Sequence, residues 1–392
     1  MVLNNGKDCC GCEACAQACP KNCIVMTTDE EGFVYPSIDR KSCVSCGICQ
    51  SVCPVLIPKK KTCPIHIYAA YANDNQLRSG SSSGGVFSLL ANYVLEQNGM
   101  VFGAAFDKDF FVHHISIRSK EELTLLRGSK YVQSRINNAY QDVKAALGKG
   151  VPILFSGVGC QIAGLKAYLG KEYEQLYTVD VLCHGVPSPR VWEKYIREQE
   201  TQFASEVTNV SFRCKDSGWK QYSVKLSFSN GTEYRTPFEK DLFMNCFLSD
   251  ICLRPSCYAC KFRESRSGAD LTLGDAWGIQ RYMPEMDDDL GTSVVVVNTE
   301  KGRKLLDAIS AGAEIRPVDA QKALEGNPVY YQSVKCHPKR AKFFASLDAP
   351  MEKLVALTRP SFFHRSMSFG KRGVKKVLRI LGLKKILETV RR

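Results

Sequence analysis

The sequence predicts an α+β protein: an α/β-like body with mixed sheets, preceded by a small cysteine-rich domain. Three observations lead there. The first 54 residues carry a doubled cysteine motif, strand-like and helix-like segments mostly alternate from residue 66 onward, and a run of strands breaks that alternation between 207 and 236. With 392 residues and 44% hydrophobic content, the chain is long enough for two or three domains around a sizeable core.

The opening motif reads CCGCEACAQACP over residues 9–20. Cys9, Cys12, Cys15 and Cys19 follow C-x2-C-x2-C-x3-C with Pro20 next, and the spacing recurs at Cys43, Cys46, Cys49, Cys53 and Pro54, an offset of 34 residues. Two-residue gaps let three thiolates of one tight loop face a single cubane, while the fourth cysteine is carried off on the following turn. In two-cluster ferredoxins that fourth residue ligates the other cluster. The pattern therefore predicts a bacterial-type two-cluster ferredoxin domain over residues 1–60. Cys9, Cys12, Cys15 and Cys53 would hold one [4Fe-4S] cluster, and Cys43, Cys46, Cys49 and Cys19 the other. Zinc also takes C-x2-C pairs in fours, but has no need of a triple repeat copied with both prolines. The spacing leaves Cys10 as a bystander thiol, reads Cys23 as a small buried residue, and puts Cys63 in a Lys/Pro-rich linker.

Nineteen cysteines would also suit a disulfide scaffold, but such scaffolds are small secreted domains. MVLNNGKD, ahead of the first cysteines, has no apolar segment of the kind a cleavable leader carries. Nor is there an apolar run of about eighteen residues, the length that suggests a spanning helix. A reducing cytoplasm is expected, where clustered cysteines read as metal ligands.

KKKTCP, residues 59–64, marks a boundary, and the body is expected over 65–345 in two parts, 65–150 and 151–345. HIYAAYA (66–72), VFGAAF (101–106), HHISIR (113–118), PILFSG (152–157) and QLYTVDVLC (175–183) read as strands. Residues 84–99, 138–150 and 160–170 read as helices. NVSFRC and SVKLSFSNGTEYRT add strands, the latter a hairpin turning at Asn230-Gly231. ADLTLGDAWG (269–278) reads as a strand running into a tight turn.

Three turns could hold a phosphate-bearing cofactor, and each also suits a plain loop. RSGSSSGGVF (78–87) opens a helix whose N–H groups would face a pyrophosphate. In RGSKYVQS (127–134), Lys130 could pair with phosphate and Tyr131 stack on a ring. FSGVGCQ (155–161) sets Cys160 at a helix start, where a thiol pKa falls. Further on, Cys183 lies in LCHGVPSP, and CLRPSCYACKF holds Cys252, Cys257 and Cys260. A lone C-x2-C is either a metal-ligand pair or a redox pair.

Taken in order, GSKYVQS, GCQIAGLKAYL, CHGVPSP, LRPSCYACKF and LTLGDAWG behind a two-cluster segment resemble the coenzyme F-420 hydrogenase/dehydrogenase beta-subunit family, over about residues 5–340. The resemblance implies an iron–sulfur flavoprotein oxidoreductase that passes electrons between a ferredoxin-like donor and an organic acceptor through [4Fe-4S] clusters and FAD. The alternative is a non-catalytic electron-transfer subunit of a larger complex. It implies flavin contacts at Ser83, Gly84, Gly85, Lys130, Tyr131 and Gln133, with the Ser156-Gly157 turn alongside. It also implies a third cluster held by Cys183, Cys257, Cys260 and Cys160, with Cys252 in reserve. Where relatives tend to read Thr-Pro before the Cys-Gln pair, this chain has Val158-Gly159. His184 and Asp275 sit beside these motifs as candidate proton relays, although a lone His and a turn Asp also serve structurally. Family members use deazaflavin coenzyme, tetrapyrroles and other acceptors, and fold likeness does not choose among them.

The net charge of +13 concentrates at the end of the chain: residues 361–392 hold ten Lys or Arg against one acid, Glu388. Basic charge confined to a tail, without a recognised binding module, argues against nucleic acid. Residues 369–392 set apolar positions 374, 377, 378, 381, 383, 386, 387 and 390 among basic ones. That is a basic amphipathic helix, weakened by Gly373 and Gly382, suited to an acidic partner or the inner membrane surface, or to packing on the body.

Overall fold

The computed structural model describes residues 6–61 and 63–358. The basic segment 369–392 lies outside the described residues. In the N-terminal part, β1 (Ile24–Thr28) and β2 (Val34–Ile38) form an antiparallel hairpin between two short helices, Ala14–Gln17 and Ile48–Ser51. Each helix follows a left-handed residue, Glu13 at φ 63° and Gly47 at φ 77°, so the two cysteine loops turn alike.

The body is built on an eight-stranded mixed sheet. Its strands are β3 (His66–Ala72), β4 (Met100–Phe106), β5 (Val112–Ile117), β6 (Ile153–Val158) and β7 (Leu176–Val181). A three-stranded antiparallel sheet follows in the chain, from β8 (Val207–Cys214), β9 (Ser223–Phe228) and β10 (Glu233–Pro237). The main sheet is then completed by β11 (Leu271–Asp275), β12 (Ser293–Val297) and β13 (Ala313–Pro317), in the order β13-β3-β12-β11-β7-β6-β4-β5. Strands β11, β7, β6 and β4 run parallel, and the outer pairs are antiparallel. This is the mixed α/β arrangement that the alternating pattern predicts.

The centre of the sheet explains what the pattern does not reveal. Strand β12 reads SVVVV with all five residues buried, so it carries no alternation and has strand character only from its β-branched side chains. Helix Pro189–Phe203 starts where the Ser188 hydroxyl accepts from the Val191 N–H at 3.2 Å, with proline at the first helical position. Its Trp192 and Tyr195 pack with Phe212 and Phe243 into the core beneath the small sheet.

Candidate functional site: thiol cavities and an adjoining cleft

The N-terminal loops pair across the repeat. Cys9, Cys12, Cys15 and Cys53 line one small cavity of about 30 Å³. Burial, and after it the neighbouring Cys9 and Cys53, push the Cys15 thiol up to about 12. Burial likewise raises Cys49, followed by the charges of Cys46, Cys43 and Cys19. Cys9, Cys12, Cys15 and Cys53 thus share a cavity, and Cys19, Cys43 and Cys46 lie near Cys49. The first set faces the body, whereas Cys46 is exposed at the outer end. Cys23 lies 3.3 Å from the Cys19 sulfur, beside the outer set.

The N-terminal domain is seated on the body by specific contacts. The buried Glu13 carboxylate accepts from Arg135 Nε at 2.8 Å and from the Ile136 and Asn137 N–H groups at 3.1 and 3.2 Å. Arg340 pairs with both Glu31 oxygens. On helix Gly159–Leu169, Gly164 lets Cys12 approach: a Cβ there would lie 2.9 Å from the Cys12 Cβ and from Tyr140 Oη.

That helix also carries Cys160 in its first turn, directly after β6. Val158-Gly159 makes the join without proline: the Val158 N–H donates to Gln161 Oε1 at 3.0 Å, and a Cβ at Gly159 would lie 3.3 Å from Asp180 Oδ2. Cys183 follows β7, Cys257 lies within the turn Pro255–Ala259, and Cys260 directly follows it. Cys160, Cys183, Cys257 and Cys260 all line one cavity of about 70 Å³. All four are free thiols; burial raises Cys183 strongly and Cys257 to about 11. Cys252 is instead fully buried in the apolar core with Cys246, outside that cavity. Cys10, for which the spacing has no role, lines the first-loop cavity, this inner cavity and the cleft beside it. Its thiol pKa is lowered, chiefly by interaction with the Cys12 and Cys160 thiols.

The donor set fits an iron–sulfur cubane, in which each iron takes one thiolate and the four thiolates surround the group. Among the described residues, no three His, Cys, Asp or Glu side chains converge as ligands of one metal ion.

The adjoining cleft has a volume of about 870 Å³, and Cys160 and Cys183 belong to its wall as well. Ser83, Gly85, Lys130, Tyr131, Gln133, Ser156, Gly157, His184 and Asp275 line it. Gly84 stands behind the wall, its N–H donating to Ser293 Oγ at 3.0 Å; a Cβ there would lie 2.4 Å from the Ala70 carbonyl oxygen. Gly85, at φ +83°, turns the chain into helix Val86–Glu96. The cleft is large enough for a dinucleotide, with an apolar wall that includes Tyr131, Phe247 and Trp277 and a serine-rich end at Ser81–Ser83. Arg213 adds an open donor: its Nε–H is buried without a partner among the described residues.

The polar groups of the cleft are held in place. Lys130 turns back on its own loop and donates to the carbonyls of Leu125, Arg127 and Gly128 at 3.0, 2.9 and 3.3 Å, while burial pushes its pKa down to about 7. Lys215, which the sequence does not single out, donates to the Arg78, Ser83 and Leu290 carbonyls at 2.9, 2.7 and 2.8 Å and so pins the serine loop. Asp275 accepts from Arg213 Nη1 at 2.9 Å, from Nη2 at 3.2 Å and from Trp219 Nε1 at 3.0 Å. His184 Nε2 lies 2.6 Å from Asp250 Oδ1. His114 lies 2.9 Å from the Ser156 carbonyl through Nε2 and 2.7 Å from Ser134 Oγ through Nδ1. The carbonyl only accepts, so Nε2 carries the proton and Nδ1 accepts from the hydroxyl. Burial lowers the His114 pKa to about 4.

Comparison with known proteins agrees with this layout. The N-terminal model of the coenzyme F-420 hydrogenase/dehydrogenase beta subunit matches residues 67–141, and its C-terminal model residues 151–322. The chain belongs to this family. A 4Fe-4S dicluster domain matches residues 8–57, so the chain is an iron–sulfur redox subunit of that oxidoreductase family. An uncharacterized ferredoxin of Methanocaldococcus jannaschii is 34% identical over 67 residues, which cover 15% of this chain and 86% of that protein. A chain of the F-420-reducing [NiFe] hydrogenase complex of Methanosarcina barkeri, solved as a xenon derivative, aligns with a TM-score of 0.46 and 16% identity. The alignment covers 76% of this chain and 91% of that one. No helix among the described residues is long and apolar enough to cross a membrane.

Proposed function

We propose that the chain is a flavin-dependent iron–sulfur oxidoreductase, passing electrons between a ferredoxin-like protein and an organic acceptor. One observation carries this reading: four partly buried free thiols from three segments share a cavity that adjoins a dinucleotide-sized cleft, with Cys160 and Cys183 lining both. The outer thiol set, exposed at Cys46, is the entry, the first set faces the body, and the inner set forms the last relay before the cleft. Cys160, Cys183, Cys257 and Cys260 would hold a third [4Fe-4S] cluster, and the cleft would hold FAD.

A flavin accepts electrons singly and delivers a hydride, which joins cluster chemistry to a two-electron reduction. The chain's own residues supply the setting. Ser83 and the Gly84-Gly85 turn shape the serine-rich end for phosphate, with Lys130 and Lys215 fixing the two loops that form it. Tyr131 offers a ring for stacking, and neutral His114 holds the Ser156-Gly157 turn through the Ser156 carbonyl. Asp275 acts through Arg213, whose guanidinium it orients at the cleft. His184, held by Asp250, is the proton carrier at the wall nearest Cys183.

The test is oxygen-free purification followed by iron, sulfide and noncovalent flavin analysis. About twelve irons and one FAD per chain are expected from three Cys-bound [4Fe-4S] clusters and one flavin. About eight irons without flavin would overturn the reading and leave a two-cluster relay subunit.

A further inference from the structure

Arg254 joins the two thiol systems and touches no acid in doing so. The residue is fully buried. Its Nε–H donates to the Cys9 carbonyl at 2.7 Å, Nη1 to Gln133 Oε1 at 2.9 Å and Nη2 to the Val34 carbonyl at 2.8 Å. All three acceptors are neutral. Gln133 completes the lattice by donating from Nε2 to the Cys10 carbonyl at 3.3 Å. Gly11, at φ +68°, makes room for it, since a Cβ there would lie 2.8 Å from Arg254 Nη1. One residue of the body thereby grips the first cysteine loop, the hairpin strand β2 and a wall residue of the cleft.

A guanidinium stays protonated in proteins, so burying it requires something that offsets the lost hydration. The Tyr35 ring, 4.3 Å from the guanidinium carbon, and the Phe33 ring at 5.4 Å offset part of it. Cluster-bound thiolates on either side of it would supply the rest. Arg254 lines the inner thiol cavity, and the Cys9 backbone it holds belongs to the first-loop cavity.

We propose that Arg254 is the shared counter-charge of the two facing sites, raising the reduction potential both of the cluster held by Cys9, Cys12, Cys15 and Cys53 and of the group held by Cys160, Cys183, Cys257 and Cys260. Reducing a thiolate-bound cluster by one electron adds one negative charge. A fixed cation in a low-dielectric junction stabilises that reduced form more than the oxidised one. Arg254 is thus a positioning residue of the electron path, keeping the two neighbouring carriers at potentials that drain the outer cluster inward. For the inner site this rests on the function proposed above; for the first site it rests only on the dicluster domain.

The experiment compares wild-type protein with Arg254→Met and Arg254→Lys, each purified without oxygen, assayed for iron, and titrated potentiometrically with dithionite as electron donor and EPR as readout. Arg254→Met should lower the midpoint of the inward-facing N-terminal cluster by a factor of ten or more in its equilibrium constant, about 59 mV for a one-electron couple. The outer cluster should move by less than half as much. Arg254→Lys, which keeps the charge and loses the fork, should stay within a factor of about two, roughly 18 mV. Unchanged potentials in an iron-replete Arg254→Met protein would overturn the proposal, as would a fall in Arg254→Lys equal to that in Arg254→Met. If Arg254→Met does not retain iron, Arg254→Gln takes its place, because its amide can still serve the Cys9 carbonyl, and the same two criteria apply. A chain that proves to hold only two clusters would still show the shift in the inward-facing one, which separates failure of this proposal from failure of the inner-site reading.

Discussion

Replacing His114 with glutamine should flatten the acid dependence of stability. In the folded chain burial lowers the His114 pKa to about 4, against an ordinary value of about 6.5. Below pH 6.5 the unfolded chain takes up a proton at this position, and the folded chain does not until about pH 4. The stabilising term is therefore complete above pH 6.5 and is lost as pH falls through that window. Between pH 7.5 and 5.5 the loss comes to about 1.3 kcal/mol from linkage, reaching about 3.4 kcal/mol once pH is below both values. His114→Gln keeps an acceptor for Ser134 and a donor for the Ser156 carbonyl, and has no proton to take up. Unfolding of both proteins at pH 7.5 and 5.5 reads the difference, since cluster loss and other titrations are common to the pair. The wild type should lose about 1.3 kcal/mol more than the variant over that interval, roughly 1–2 °C in Tm. Equal slopes would refute the assignment of a buried neutral His114.

Four further substitutions probe the seating of the site. Gly164→Ala would place a Cβ 2.9 Å from Cys12, and overpacking of about 1–3 kcal/mol should outweigh the ~1 kcal/mol helix-propensity gain. Gly148→Ala, with nothing within 4 Å of the new Cβ, should be neutral or stabilising, so thermal unfolding of the pair should move in opposite directions. Asp275→Asn leaves the Arg213 guanidinium buried and unpaired and should cost about 3 kcal/mol, partly recovered in Asp275→Asn/Arg213→Met; a single variant as stable as wild type would contradict the ion pair's role. Ser188→Ala removes the N-cap of helix Pro189–Phe203 and should cost about 1 kcal/mol in denaturant unfolding, with iron content unchanged.

Much of the fold was legible where the residues alternate. HIYAAYA forms β3 over the expected residues, and the hairpin turns at Asn230-Gly231 with Gly231 at φ +82°. Strand β12 was not legible, because a fully buried strand shows no period and SVVVV is short enough to be a fragment of anything apolar. Helix Pro189–Phe203 escaped because its cap, Ser188-Pro189, falls inside a motif read for its cysteine. Ligand spacing shows which cysteines belong together locally, and Cys9, Cys12, Cys15 and Cys53, which it grouped, line one cavity. It cannot assign an off-pattern thiol, and so gave Cys10 no place, although Cys10 lies where three cavities meet. Lys215 and Arg254 were invisible for a related reason. Each acts through carbonyl oxygens contributed by distant segments, and backbone acceptors leave no mark in the sequence.

The decisive observation is flavin reduction in the Cys257→Ser/Cys260→Ser protein. Oxygen-free wild-type and variant chains, matched for flavin and for the two N-terminal clusters, would be mixed with a reduced ferredoxin and flavin bleaching followed by stopped flow. If electrons reach the cleft through the inner thiol site, the variant retains its N-terminal EPR signals and its flavin is reduced at least a hundredfold more slowly. Flavin reduction as fast as in the wild type would show that the inner thiols carry no electrons to the cleft.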